Sequence, residues 1–180
     1  PNIGLSDATE VKHLGRRASL RQKLDTLERA FDQAGELQAL DEFETQAMML
    51  LTNPKTKEAF DLSKEDDRTR DRYGRNTWGQ QLLMARRLVE AGCGFVTVSS
   101  AGWDMHGNAF GINDGMPLLG SAVDKAVSAF IEDLEQRGLS EKVLLVITGE
   151  FGRTPRINKK AGRDHWGNQC TLALAGGGLK

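Results

Sequence analysis

The chain predicts an α/β fold in which helices flank a parallel-type sheet, and three observations carry that expectation. Phe95-Val96-Thr97-Val98 reads as a short buried strand, and Val143-Leu144-Leu145-Val146-Ile147-Thr148 as a second one. Between them Leu119, Val123, Ala126-Val127, Phe130 and Leu134 recur at helical spacing from about Asp114 to Gly138. Strand, long helix, strand is a βαβ unit, normally a right-handed crossover between parallel strands. Polar loops follow both strands, where open α/β sheets bind their ligands.

From the start of the chain, residues 1 to 18 are polar and carry little pattern. Leu20, Leu24, Leu27, Ala30 and Phe31 then repeat as one helical face, as do Leu37, Leu40, Phe43, Ala47 and Leu50-Leu51. Gly35 separates the two runs and Asn53-Pro54 ends the second, so residues 14–52 read as a helical hairpin or one broken helix. Packing on a sheet accounts for such a segment, and a coiled-coil or partner-binding role is the alternative. Residues 55–75 are densely and mixedly charged, which predicts a solvated face or loop. Trp78 to Ala91 follows as a helix with Leu82, Leu83, Ala85, Leu88 and Val89 on its apolar face and Gly92 as its C-terminal cap. Thr171-Leu-Ala-Leu-Ala175 supplies a further short strand. Residues 76–180 are thus the sheet-forming part.

Composition bounds the function. A length of 180 residues suits one domain with a sizeable core. The balance of 24 basic against 25 acidic residues carries no polyanion signature, so nucleic acid is not expected as a partner. No apolar run approaches the roughly 18 residues that span a bilayer. Cys93 and Cys170 have no zinc-type spacing and sit among apolar or small neighbours, which predicts buried free thiols. Beginning at Pro1 and stopping after Ala175-Gly-Gly-Gly-Leu-Lys180, the chain reads as a piece of a longer protein.

The chemistry gathers after the two strands. Gly102-Trp103-Asp104-Met105-His106-Gly107 follows the first. If that stretch is extended, Asp104 and His106 point to one side and can grip one cation. Glu150 ends the second strand within Gly149-Glu-Phe-Gly-Arg-Thr-Pro155, and Asp164-His165 lies between Arg163 and Trp166. Each has a plainer alternative: a hydrogen-bonded turn, a capping carboxylate, or a histidine held by a backbone carbonyl. Two of the three histidines fall beside the acids in loops after expected strands, and that coincidence points to a shared metal site. Mixed carboxylate and imidazole ligands suit zinc, manganese or iron, and carboxylates also admit magnesium or calcium. Arg153 and Arg163 match the geometry of phosphate, sulfate or carboxylate, or else pair with Glu150 or Asp164 as scaffolding. No phosphate-cradling glycine loop of the nucleotide type is present, and neither Ser99 nor Ser100 sits on a nucleophile elbow.

Tyr73-Gly74, Ala85-Arg-Arg-Leu-Val-Glu-Ala-Gly92, Gly102-Trp-Asp-Met-His106, Gly149-Glu-Phe-Gly-Arg-Thr-Pro155 and Gly162-Arg-Asp-His-Trp166 together resemble the bacterial family named domain of unknown function 1501. The resemblance runs from about Leu20 to Lys180, and that family is similar to a branch of the alkaline phosphatase and sulfatase superfamily. It implies an alkaline phosphatase-like domain of which this chain is the C-terminal portion, incomplete at both ends. It implies that Asp104 and His106 hold one divalent metal, although the superfamily more often spaces them further apart, and that His165 completes that shell. Glu150 takes the place of a second-metal aspartate, with Asp164 and Trp103 standing behind the ligands and Arg153 or Arg163 steadying an anion. Phe151 departs from the pattern, because a histidine ligand usually follows that aspartate; a one-metal or altered site is implied. The superfamily's nucleophile comes from an earlier strand, expected upstream of Pro1.

The implied activity is metal-dependent hydrolysis of a small phosphate or sulfate ester by a parent protein exported to the periplasm or beyond. The competing expectations are a non-catalytic, metal-stabilised binding protein on the same scaffold, and an assembly or surface protein docking through its N-terminal helices. A scaffold can keep its ligands and change its chemistry.

Overall fold

The computed structural model describes residues 12, 16, 42–43, 45–47, 53–107 and 110–179. The expected 14–52 helical segment lies outside them except for Arg16, Glu42, Phe43, Thr45, Gln46 and Ala47, all helical. The chain divides into two compact units, residues 1–61 with 91–93 and residues 62–90 with 94–180. In the first unit α1 spans Pro54–Phe60. Asn53 caps it by accepting from the Lys55 N–H at 2.9 Å, and Pro54 fits the first turn because it lacks the N–H that would go unpaired there.

The second unit carries the core and the candidate site. Its α2 spans Asp67–Tyr73, capped by the Asp66 carboxylate on the Thr69 N–H at 2.8 Å and stopped by Gly74 at φ 98°. Then α3 runs Thr77–Glu90, started by Asn76, whose Oδ1 accepts from the Gly79 N–H at 2.9 Å. A short α4, Ile112–Gly115, passes through a π-helical turn at Met116–Gly120 into α5, Ser121–Gln136. Gly138 closes α5 at φ 66°. Helix α5 packs on α2 and α3. Tyr73, Leu83, Ala129, Phe130 and Leu134 form the buried centre, with Leu82, Leu139, Val143 and Leu145 against it.

A polar network is folded into the same helices. Arg86 is 2% exposed and reaches Glu65 and Glu90, each at 2.6 Å, and Asp133 at 3.0 Å. Asp133 also takes the Tyr73 hydroxyl proton at 3.0 Å, the Arg137 Nε–H at 2.9 Å and a contact from Arg72 at 3.0 Å. Burial by itself raises the Asp133 carboxyl, but the hydrogen bond from Arg137, the charge of Arg86 and the Tyr73 hydroxyl more than offset it, leaving Asp133 below its ordinary range. Burial and the neighbouring Asp133 push the Tyr73 phenol well up. The charged 55–75 stretch is therefore not simply a solvated face: Glu65 and Tyr73 are drawn into this network, a correction that only the packing of α5 reveals.

The strands differ from expectation in direction. Strand β1, Leu144–Thr148, pairs antiparallel with β4, Leu172–Gly176, in the register Leu144 opposite Gly176 and Thr148 opposite Leu172. Nested between them, β2, Gly152–Arg153, pairs antiparallel with β3, His165–Trp166. No parallel pair occurs among the described residues. Phe95–Val98 joins no ladder, and Phe95 is exposed rather than buried. A helix between two strand-like runs does not by itself dictate pairing: β1 has satisfied one edge with β4, and its other edge has no partner in this sheet. The molecule is mixed helix and sheet, and the nested antiparallel pairs carry the loop that builds the site.

Candidate metal centre

The Asp104–His106 segment is not extended. Met105 N–H bonds the Trp103 carbonyl at 2.9 Å and His106 N–H bonds the Asp104 carbonyl at 3.0 Å, two successive three-residue turns. Met105 between them is buried, and its Sδ lies so near Gly115 that a Cβ there would meet it at 2.6 Å. That anchor leaves the carboxylate of Asp104 and the imidazole of His106 facing outward together.

The third member arrives from the loop between β2 and β3. Arg163 N–H bonds the Met105 carbonyl at 3.0 Å, and Gly107 forms a bridge with Ala161. The contact is backbone on backbone: a Cβ on Gly162 would sit 2.0 Å from the His106 carbonyl carbon, and one on Gly107 2.0 Å from the Lys160 oxygen. Asn158 ties the loop further. Its Nδ2 donates to the His106 carbonyl at 3.1 Å and to Asp164 at 2.9 Å, while its Oδ1 accepts from the Lys160 and Gly162 N–H groups at 2.9 and 3.0 Å.

The result is a tight triangle. His165 Nε2 lies 2.9 Å from Asp104 Oδ1, His106 Nε2 lies 2.9 Å from the same oxygen, and the two Nε2 atoms are 2.8 Å apart. Asp104, His106 and His165 thus form a group able to hold a metal ion. Their side chains are 66%, 39% and 48% exposed, so a small solute has access. The Arg153 guanidinium, placed by β2 directly opposite His165, donates to Asp104 Oδ1 at 2.7 Å and lies 3.3 Å from His106 Nε2. The hydrogen bond from His165 and that from Arg153 hold the Asp104 carboxyl down at about 2. Asp104 is therefore an anion at neutral pH.

The donor set fits a divalent cation on one further count. Asp164 Oδ1 lies 3.7 Å from His106 Nδ1, on the side of the ring away from the triangle. The two ring Nε2 atoms bring at most two protons to the three edges of the triangle, and the Arg153 guanidinium is the cation that offsets the crowded acceptors. Carboxylate with two imidazoles is a donor set used for zinc, manganese and iron alike.

Other expected residues fall elsewhere. Glu150 is exposed and outside the triangle, so the second-metal position assigned to it is not part of this cluster. The Phe151 ring packs against the His165 ring at a tilt of 46° with centroids 4.4 Å apart, and the Arg153 Cζ lies 5.7 Å from the Phe151 centroid. Arg163 is committed to scaffolding: its guanidinium donates to the Arg153 carbonyl at 3.0 Å and to that of Thr154. Trp103 donates to Ser100 Oγ at 2.8 Å. Both cysteines are free, but neither is buried as expected: Cys93 is half-buried and Cys170 is exposed, with its Sγ 3.3 Å from Thr148 Oγ1. Asn158 was not singled out by its sequence; the habit of Asn side chains of accepting from the N–H two residues on, here that of Lys160, is the signal that would have found it.

A family profile described as protein of unknown function (DUF1501) matches residues 2–180. The chain belongs to the DUF1501 family. No curated protein and no solved structure matches it. In this DUF1501 chain no helix among the described residues is long and apolar enough to cross a membrane. The three converging ligand atoms, rather than a relative, are what the functional reading rests on.

Proposed function

We propose that this chain carries the metal-binding part of a hydrolase-like site for phosphate or sulfate esters, on an alkaline phosphatase-like scaffold. Asp104, His106 and His165 hold one divalent metal, and Arg153 steadies the anionic group of the ester. The observation that carries the reading is the 2.8–2.9 Å triangle with a guanidinium fork on its rim. A bound divalent ion would withdraw charge from an ester oxygen and lower the pKa of an attacking hydroxyl. The chain's own residues do the rest: Asp104 supplies the fixed negative charge, Asp164 orients the His106 ring, and the Gly107–Gly162 junction fixes the spacing. On an alkaline phosphatase-like scaffold the free edge of β1 would take a parallel neighbour, and the Phe95–Val98 segment is the candidate for it.

Elemental analysis of the purified protein tests the reading beside a His106→Ala/His165→Ala double variant. About one equivalent of metal in the wild type, absent from a folded variant, is expected from a mononuclear carboxylate–imidazole site. Wild-type protein loaded with that metal is then assayed on aryl phosphate and aryl sulfate esters. Equal metal in both proteins, or none in either, removes the site and the hydrolase reading with it.

A second reading has its own observation. Phe151 packs at a tilt against His165 beside the cluster, and Glu150 stands outside it. A single metal without a second-metal partner suits a binding protein that the ion stabilises. Metal that raises the melting temperature, with no turnover of either ester class by the full-length parent, favours this reading over the first.

A further inference from the structure

Arg153 occupies an awkward place if it serves only to receive an anion. Its Nη2 donates at 2.7 Å to Asp104 Oδ1, the same oxygen that both histidine nitrogens approach at 2.9 Å. Its Nη1 lies 3.3 Å from His106 Nε2, so the guanidinium faces the lone pairs that a metal would need. With both imidazoles neutral, the cluster of Asp104, Arg153, His106 and His165 has no net charge. A divalent cation added among these atoms gives the cluster a net charge of two positive, the guanidinium included, and the ion and the guanidinium repel at this distance. An oxyanion carrying two negative charges restores neutrality, and the fork that leaves Asp104 matches its geometry.

We infer that Arg153 is a built-in competitor for the metal, which exchanges its Asp104 partner for the oxyanion and so makes metal and oxyanion bind cooperatively. The inference rests on the metal reading above and adds what that reading does not contain: the charge of Asp104 is balanced by the chain's own arginine when no ion is bound, and each ligand binds more tightly when the other is present. The arrangement suits the swing. The Arg153 backbone is pinned opposite His165 in the β2–β3 pair and its carbonyl is held by Arg163, while its guanidinium reaches the rim of the cluster 5.7 Å from the Phe151 ring centroid. Linkage is reciprocal, so the factor by which oxyanion tightens metal is the factor by which metal tightens oxyanion.

The test is calorimetric titration of Mn²⁺ into wild type, Arg153→Gln and Arg153→Lys, in chloride or in inorganic sulfate at matched low ionic strength. Wild type is expected to bind Mn²⁺ more tightly in sulfate, by roughly 5- to 150-fold. Arg153→Gln, having lost the competitor, binds Mn²⁺ more tightly than wild type in chloride and no longer responds to sulfate. Arg153→Lys keeps the charge, so its affinity in chloride stays near that of wild type; it also serves as a second variant should Arg153→Gln fold poorly by circular dichroism. Weaker or equal Mn²⁺ binding by folded Arg153→Gln in chloride overturns the inference while leaving the metal site standing. The same sulfate response in Arg153→Gln and wild type overturns it too. No Mn²⁺ bound by any of the three proteins overturns both the inference and the reading beneath it.

Discussion

Arg86 and Arg153 both face carboxylates, in the same unit of the chain and in opposite circumstances. Arg86 is 2% exposed, and Glu65, Glu90 and Asp133 surround it with the Tyr73 hydroxyl filling a remaining acceptor. Arg153 shares one carboxylate oxygen with two histidines on an open surface, where Asp104 is 66% exposed. In the first cluster opposite charges are packed against one another largely out of reach of solvent, even though the Nε atoms of Arg72 and Arg86 find no hydrogen-bond acceptor. In the second, acceptors converge faster than protons can serve them. Charge alone does not mark a site; a shortage of donors at an accessible point does.

Breaking the buried cluster gives the largest effect. Arg86→Ala leaves Asp133 and Glu65 without their buried partner and is expected to destabilise by about 3–5 kcal/mol, read by urea unfolding. Metal affinity of whatever fraction stays folded should not change, and a parallel loss of metal at full folding would merge the two clusters into one. Next in size is Gly162→Ala. Its Cβ would lie 2.0 Å from the His106 carbonyl carbon, so the two ligand loops must part. A loss of about 1–3 kcal/mol is expected from such overpacking, together with weaker Mn²⁺ binding in calorimetry. Normal binding there would show that the junction does not set the triangle.

Acid separates the clusters more gently. The folded Asp133 carboxyl lies below its unfolded value, so its contribution is complete above about pH 4 and is lost as pH falls through the folded value. Urea midpoints between about pH 5 and pH 3 should therefore fall, and Asp133→Asn should be less stable at neutral pH with a shallower slope. An unchanged slope in Asp133→Asn would assign the acid sensitivity to other carboxylates. The smallest stability effect belongs to His106→Ala/His165→Ala. Without added metal its unfolding free energy should stay within about 0.5 kcal/mol of wild type, as surface substitutions do, although it loses the metal. A large loss of stability in chelator would make the histidines part of the scaffold.

The same contrast explains what the sequence disclosed. Helical spacing located α3 and α5 closely, because their buried positions repeat with the turn of the helix. Gly92 and Gly138 marked their ends through positive φ. Asp104, His106 and His165 stood out because few residue types bind metals and these three follow strand-like or loop segments. The direction of strand pairing was not legible: Leu144–Thr148 has the same composition whether its neighbour is parallel or antiparallel, and only the 24-residue return to Leu172 in space decides it. Arg86 sits on the helix among apolar neighbours, and nothing local says that Glu65 and Asp133 will meet it there. Asn158 and Met105 do their work through contacts with a distant loop, which a linear reading does not contain.

The distance along the chain between the ligands has one more consequence. Asp104 and His106 are neighbours in any conformation, whereas His165 follows His106 by 59 residues and reaches it only when the Gly107–Gly162 junction closes. Closing a loop of that length carries an entropic penalty that α5 and the nested strands must first offset. The unfolded polypeptide thus offers an ion a two-residue chelate, and the folded one offers three converging ligands. An ion held by all three, as proposed above, would draw the population toward the closed chain by mass action.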